Sequence, residues 1–390
     1  MYKKLGLVVL LAIVAIGYLF LTDFGLVKKL VGYNVPTSTG LPVVSPGIDN
    51  KDKGLGFLNI PEGFKISVAV RGLSNPRVIL FDPKGRMLVS ETKEGRVSIL
   101  EDKDKNGDFE IKRTLIGNLK SPHGLAFYTD DKKIDYLYIA ETQQVIRYLY
   151  DINTGKITNT SAKNIATFPG DGSHFTRTIA FSVNTRKFDP AGEKLMQGFY
   201  SKDKLYMSVG SSCNVCVENT WKRAAILESD PSGTVTAEFA GGLRNSVFFT
   251  FHPETKEMWA TEMGRDNLGD NLPPDEINII KPAEADNKLG ARKFGWPFCY
   301  GNQVTDKTFK PEKIDRTDIP TDCSKTEPAT IEIPAHSAPL GLAFITSDKW
   351  PSQWKNNLLV AYHGSWNSSV PVGYKIVRFK VDKNGKVSEI

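Results

Sequence analysis

Histidine and arginine recur immediately in front of apolar runs in this chain. In SHFTRTIAF, residues 173–181, His174, Thr176 and Arg177 precede Ile179–Phe181, and Arg77, His123 and the pair Arg244–Asn245 stand before runs of the same kind. An imidazole is near-neutral at ordinary pH and can take a proton, whereas a guanidinium grips carboxylates through paired hydrogen bonds. Gathered in one concave site, these residues would suit an anionic ligand and supply a general base. A single arginine at a strand start is more commonly a solvated loop charge, and a single histidine a satisfied hydrogen-bonding group. Repetition at equivalent places argues for function.

The pattern carrying these residues is an apolar strand ending in Phe, a turn, and a second apolar strand. RVILFDPKGRMLVSE (77–91) is the cleanest copy, and HGLAFYTDDKKIDYLYIAE (123–141) follows. The others are RTIAF with KLYMSVGS (177–181 and 204–211), VFFTFHPETKEMWATE (247–262) and LGLAFITSDKWPSQWKNNLLVAY (340–362). Further alternating segments come after, such as RVSIL (96–100), VIRYLY (145–150) and YKIVRFKV (374–381). Short strands, frequent turn signals and no sustained helical period predict an all-β fold. Repeats of roughly 45 residues and upward, with about four strands each, are the signature of a β-propeller, and a β-sandwich would not predict the recurrence. The loops entering the first strand of each blade would ring one mouth of a central channel. There Arg77, His123, His174, Arg177, Arg244 and Asn245 would face one another.

The 390 residues are 40% hydrophobic and 24% charged, an ordinary globular composition with enough length for a large core. The formal charge of +6 is spread thinly, which speaks against a nucleic-acid partner and leaves an acidic ligand open. Leu5–Thr22 is an uncharged apolar run, long enough to span a bilayer at about 1.5 Å per residue. With no A-x-A-like site and no cysteine after it, residues 1–30 read as an uncleaved signal anchor, and residues 31–56, rich in Gly, Pro, Ser and Thr, as a linker. Lys3 and Lys4 are matched by Lys28 and Lys29, so flanking charge does not set the orientation.

Cys213 and Cys216 form C-N-V-C, and Cys299 and Cys323 lie farther along. A C-x-x-C pair plus two distant cysteines could bind zinc, but nearby histidines in ligand spacing are missing, and no thioredoxin-like pattern surrounds the pair. An even count behind an export segment reads as two disulfides, the C-N-V-C pair stiffening a loop. The expectation is a single-pass protein of the cell membrane with its body, residues 57–390, on the extracytoplasmic side.

DKDKNGDFE places Asp102, Asp104, Asn106 and Asp108 on alternate positions with Gly107 at the turn, like the first half of an EF-hand loop, but position twelve is Arg113. A plain acidic hairpin tip accounts for it as well. Asp275 and Glu276 are adjacent on a predicted strand and so point to opposite faces, which rules them out as a glycosidase pair. They are expected to organise the neighbouring loop.

In order along the chain, HFTRTIAF, KLYMSVGSSCNVC, GGLRNSVFFTFHP, EMWATEMGRDNLGDNLPPDEINII, KFGWPFCYG, PAHSAPLGLAF and YHGSWNSSVPVGYKIVRFK resemble the glucose/sorbosone dehydrogenase family. GSSCNVC and HGSW are most similar to its L-sorbosone dehydrogenase-like branch. The match runs from about Gly63 to the last residue. It implies a six-bladed propeller binding pyrroloquinoline quinone (PQQ) and Ca²⁺, oxidising an aldose or related sugar and passing electrons to an external quinone or cytochrome. By position His174 becomes the base that takes the sugar hydroxyl proton. Arg177 and Arg244 become partners of the cofactor carboxylates with Asn245 beside them, and Arg77, His123 and His363 face the same group. Carbonyls of Gly264 and Arg265 in TEMGRD become calcium ligands.

Two departures stand out. The chain stops at KVDKNGKVSEI, inside an expected hairpin, so about five of six blades are represented, and the arginine that the resemblance places before the sixth has no counterpart. Ser246 replaces a proline common after the Arg-Asn pair. Two other functions remain in view: a non-catalytic binding or scaffold propeller, and a calcium-dependent propeller hydrolase such as a lactonase.

Overall fold

A computed structural model describes residues 43–44, 55–183, 203–283 and 290–389. The expected anchor at 1–30, and all of the expected linker except residues 43, 44, 55 and 56, lie outside them. Among the described residues no helix is long and apolar enough to cross a membrane. The chain divides into two units, Met1–Ser67 with Ile390, and Val68–Glu389. In the first, Val43–Val44 pairs antiparallel with Ile60–Pro61.

The second unit is a succession of five antiparallel sheets in a propeller-like arrangement. Blade 1 comprises Pro76–Phe81, Met87–Glu91, Arg96–Glu101 and Ile111–Ile116. Blade 2 comprises Leu125–Thr129, Asp135–Ala140, Gln144–Asp151 and Lys156–Thr167. Blade 3 comprises Ile179–Val183, Asp203–Val209, Ala225–Ser229 and Thr236–Gly241. Blade 4 comprises Phe249–Phe251, Met258–Glu262, Asp275–Ile280 and Ile331–Ile333, and blade 5 Pro339–Phe344, Leu358–Tyr362, Lys375–Val381 and Val387–Glu389. Each Phe-terminated repeat of the sequence supplies the first two strands of one blade. Between its last two strands blade 4 sends out a long excursion, which adds Arg292–Lys293 in parallel to the edge of blade 3.

The second strands explain why these sheets stack. Successive side chains on a strand point to opposite faces, so a strand buried on both sides reads as an unbroken apolar run. Leu137 and Ile139 pack with Leu88, Val97 and Ile99 of blade 1. Tyr138 and Ala140, between and after them, pack with Leu205, Met207 and Leu227 of blade 3. Tyr206 then turns to Phe249 and Met258 of blade 4, and Trp259 to Leu358, Val360 and Phe379 of blade 5. Ile79 and Phe81 of blade 1 and Ile376 of blade 5 point away from these cores and are exposed.

Candidate active site

The residues preceding the first strands come together as the repeat pattern predicts, but they do different jobs. His174 is half-buried, and its Nδ1 lies 2.9 Å from the Ser211 carbonyl and 3.0 Å from Ser211 Oγ. Ser211 Oγ donates its own hydrogen to the Cys213 carbonyl at 2.6 Å. A carbonyl only accepts, so Nδ1 carries the proton and Nε2 keeps its lone pair. Burial above all, then the Arg244 charge, depresses the imidazole pKa to about 4, so it is neutral at ordinary pH.

Arg177 is fully buried and donates to backbone carbonyls: His174 at 2.9 Å, Thr176 at 2.7 Å and Pro169 at 3.4 Å. Its Nε has no partner among the described residues. Burial, then Arg223, pushes its pKa down to about 9. Arg223, which sequence reasoning passed over, donates to the Pro169 carbonyl at 3.1 Å, to Asp171 Oδ1 at 2.9 Å and to the Asp171 carbonyl. Two buried guanidiniums thus fix the loop that presents His174.

Arg244 and Asn245 form the opposite side. Arg244 Nη2 meets Asp266 Oδ2 and Asn214 Oδ1, both at 3.0 Å, and its Nε meets the Asn214 carbonyl at 3.0 Å. Asn245 donates its backbone N–H to Glu262 Oε1 at 3.0 Å, and Ser246 donates its hydroxyl to Oε2. Ser246, where a proline would have no hydroxyl, therefore gives the loop a hydrogen bond. Glu262 is buried opposite Glu276 on the neighbouring strand, and burial raises its pKa to about 8. Between the two sides lies Gly210, where a Cβ would fall 2.5 Å from Asn245 Oδ1 and 2.7 Å from His174 Cβ. Only a residue without a side chain allows that approach.

His123 completes the group from blade 2. Its Nδ1 lies 3.1 Å from the Arg177 carbonyl, its Nε2 has no partner among the described residues, and burial followed by the Arg77 charge lowers its pKa to about 3. Arg77 is half-buried, and among the described residues its guanidinium makes no hydrogen bond or ion pair. His363 is exposed at the end of the second strand of blade 5, with Nδ1 3.3 Å from the Gly364 carbonyl.

A recurring acidic pin went unread in the sequence. Glu91, Glu141 and Glu262 occupy one place in blades 1, 2 and 4, each accepting a backbone N–H from the loop entering its own blade: Ser74 at 2.6 Å, Lys120 at 2.6 Å and Asn245 at 3.0 Å. Counted from the partner of the terminal Phe, the same place in blade 3 is Val209. Without that carboxylate, the blade 3 loop is held by Arg177, Arg223 and Ser211 instead.

Two places suit a cation. Asp275 accepts the Gly264 N–H and the Ala338 N–H, each at 2.8 Å, shaping the TEMGRD loop. No hydrogen bond among the described residues ends on the carbonyl of Gly264 or Arg265, so both keep lone pairs for a hard ion. The Arg265 side chain is committed to Asp306 at 2.8 Å. At the blade 1 hairpin, Asp102, Asp104 and Glu110 each bring a carboxylate oxygen within 4.8 Å of the others. Asn106 accepts the Asp108 N–H at 2.7 Å. Glu110 is the ninth residue of the loop, whereas the sequence comparison looked for an acid at the twelfth.

Both disulfides are formed, Cys213–Cys216 and Cys299–Cys323, and no described cysteine is free for zinc. The arrangement is thus a propeller-like mouth with an excess of guanidinium around two neutral imidazoles, His174 and His123. The family described as TrAA12-like matches residues 58–389, and the chain belongs to it. An uncharacterised protein of Borreliella burgdorferi is 29% identical over 337 residues, covering 85% of this chain and 78% of that protein. The pyrroloquinoline quinone-dependent pyranose dehydrogenase of Coprinopsis cinerea is 27% identical over 352 residues, 82% of this chain and 44% of the enzyme, so the chain spans less than half its length. The holo form of the PQQ domain of Coprinopsis cinerea pyranose dehydrogenase superposes with a TM-score of 0.64 at 23% identity, over 85% of this chain and 82% of that one. The calcium structure of the Trichoderma reesei AA12 enzyme gives 0.62 at 22% identity, over 82% and 81%. At such identities the superpositions establish the fold.

Proposed function

We propose that this protein is a PQQ- and Ca²⁺-dependent dehydrogenase that oxidises an aldose or related sugar, anchored by residues 1–30 with its propeller outside the cytoplasm. The GSSCNVC and HGSW elements support the sorbosone-dehydrogenase-like branch, and the two disulfides support an oxidising compartment. One observation carries the reading. His174 is locked with Nε2 unprotonated beside a cluster of arginines whose charge exceeds that of the acids around it.

The residues fit a tricarboxylate quinone. Among the described residues the Arg77 guanidinium has no competing partner and Arg177 Nε is unsatisfied, and Asn245 stands across Gly210 from the imidazole. Arg77, Arg244, Asn245, His123 and His363 would hold it, while Arg177 chiefly braces the His174 loop. When bound, the quinone would supply the hydride acceptor for the sugar carbon. His174 Nε2 would take the proton of the sugar hydroxyl. A pKa near 4 makes a weak base, but Arg244 is the largest charge depressing it, and a carboxylate placed against that guanidinium raises the imidazole toward a useful range. The Gly264 and Arg265 carbonyls would hold Ca²⁺, with Asp275 fixing their loop. The electron acceptor would be a quinone or cytochrome.

The test is titration of the protein with PQQ and Ca²⁺, followed by dye reduction with a panel of aldoses. Calcium-dependent binding with sugar-driven reduction is expected. Turnover of a lactone without an acceptor would make it a hydrolase, and a folded protein that ignores PQQ would make it a binding module.

A further inference from the structure

The four-residue ring closed by Cys213 and Cys216 touches both sides of the site. Through the Cys213 carbonyl it fixes the hydroxyl of Ser211, the residue that orients His174. Through Asn214, inside the ring, it holds the other side. The Asn214 carbonyl accepts from Arg244 Nε at 3.0 Å and Trp296 Nε1 at 3.3 Å, and its Oδ1 accepts from Arg244 Nη2 at 3.0 Å and the Asp266 N–H at 2.8 Å. Its Nδ2 donates to the Asp266 carbonyl at 3.1 Å, so every polar group of the asparagine side chain is used. Asp266 directly follows Arg265 in the TEMGRD loop. Direct bonds also run between these parts, from the Ser211 N–H to the Arg244 carbonyl at 2.7 Å and from Arg244 Nη2 to Asp266 Oδ2 at 3.0 Å, and the ring braces both.

We propose that the Cys213–Cys216 ring, acting through Asn214 and the Cys213 carbonyl, is a positioning element that braces His174, Arg244 and the TEMGRD loop in mutual register, and that reducing it loosens that register. The catalytic meaning rests on the dehydrogenase reading; the structural coupling does not. Cys213 and Cys216 are half-buried, whereas Cys299 and Cys323 are buried, so an external dithiol meets the ring first. One dithiol thiolate attacks a ring sulfur and breaks the S–S bond, and the second thiolate displaces the mixed disulfide. Two electrons pass from dithiol to protein, leaving two cysteine thiols, their protons coming from the dithiol through solvent, and one cyclic oxidised dithiol.

The full chain is prepared as wild type, as Asn214→Ala with the disulfide intact, and as Cys213→Ser/Cys216→Ser. Imidazole ¹⁵N spectra follow the His174 tautomer, hydrogen exchange follows the Asp266 amide, and dye reduction with PQQ, Ca²⁺ and sugar follows turnover. Asn214→Ala should speed Asp266 exchange about tenfold and lower turnover by the same order while keeping Nδ1–H on His174. The double serine variant, and wild type treated with dithiothreitol, should also lose the single tautomer and drop turnover on the order of 100-fold, with recovery on reoxidation of the wild type. A folded, reduced protein that keeps both the tautomer and Asp266 protection overturns the proposal. Should the double variant fail to fold, the asparagine variant and the dithiothreitol-treated wild type decide. Absence of any PQQ-dependent turnover in the oxidised wild type would instead sink the dehydrogenase reading, with the spectra still deciding this one.

Discussion

His174 Nδ1 sits 2.9 Å from the carbonyl oxygen of Ser211, and this contact fixes which nitrogen of the ring is basic. The consequence is directional: Nε2 alone can take a proton. His174→Ala should lower sugar-driven dye reduction by about 10²–10⁴-fold, the range removed with a general base, while PQQ affinity changes little. Near-normal turnover in that variant would sink the assignment.

The imidazole should respond to an anion placed beside it. In the free protein His174 titrates at about 4, depressed by burial and then by Arg244. NMR titration with and without PQQ should show the value rising on binding; an unchanged or lower value would separate the cofactor from Arg244.

The same shift affects stability with a definite sign. A histidine whose folded pKa lies below its unfolded value near 6.5 binds fewer protons when folded, so its contribution is present above 6.5 and lost as pH falls toward 4. Glu262 acts oppositely. Its pKa, raised to about 8, makes the folded state bind the extra proton, so stability drains as pH rises from about 4.5 to 8. Glu262→Gln should therefore gain melting temperature relative to wild type at pH 8.5 more than at pH 5. Parallel curves would disprove a protonated Glu262.

Gly210→Ala should disturb both sides at once. Its Cβ would meet Asn245 Oδ1 at 2.5 Å and His174 Cβ at 2.7 Å. Overpacking of this kind costs about 1–3 kcal/mol, readable by thermal unfolding, and turnover should fall more steeply than stability.

The two cation sites should separate by function. Calcium should raise the melting temperature through the Asp102–Glu110 loop, and Asp104→Ala should abolish that part while leaving turnover intact. Chelation should stop turnover in both proteins through the TEMGRD carbonyls. Identical calcium titrations of the two by calorimetry would remove the hairpin site.

Sequence reading reached the blades because a Phe-terminated strand followed by a doubly buried one leaves a repeating pattern. His174, Arg244 and Asn245 were legible as site residues because their place before first strands is itself periodic. What Arg177 does was not legible, since three carbonyls around one guanidinium depend on a loop shape that no spacing encodes. Glu91, Glu141 and Glu262 were visible as the recurring end of MLVSE, YLYIAE and MWATE, yet their task of pinning entering loops shows only in three dimensions. Asn214 left no signal beyond its place between two cysteines.

The strands that serve two cores at once also decide how this molecule fails. Leu137 and Tyr138 are neighbours in sequence but belong to different interfaces, as do Leu205 and Tyr206. Blade 1 keeps a small core of its own around Met87, Val89 and Leu100, but blades 2, 3 and 4 share theirs with their neighbours, and each such boundary is a wall shared by two rooms. Losing one wall loosens the sheets on either side. Blade 3, which presents His174, is supported from both directions, by blades 2 and 4. The site should therefore lose its shape when either of those two boundaries is lost.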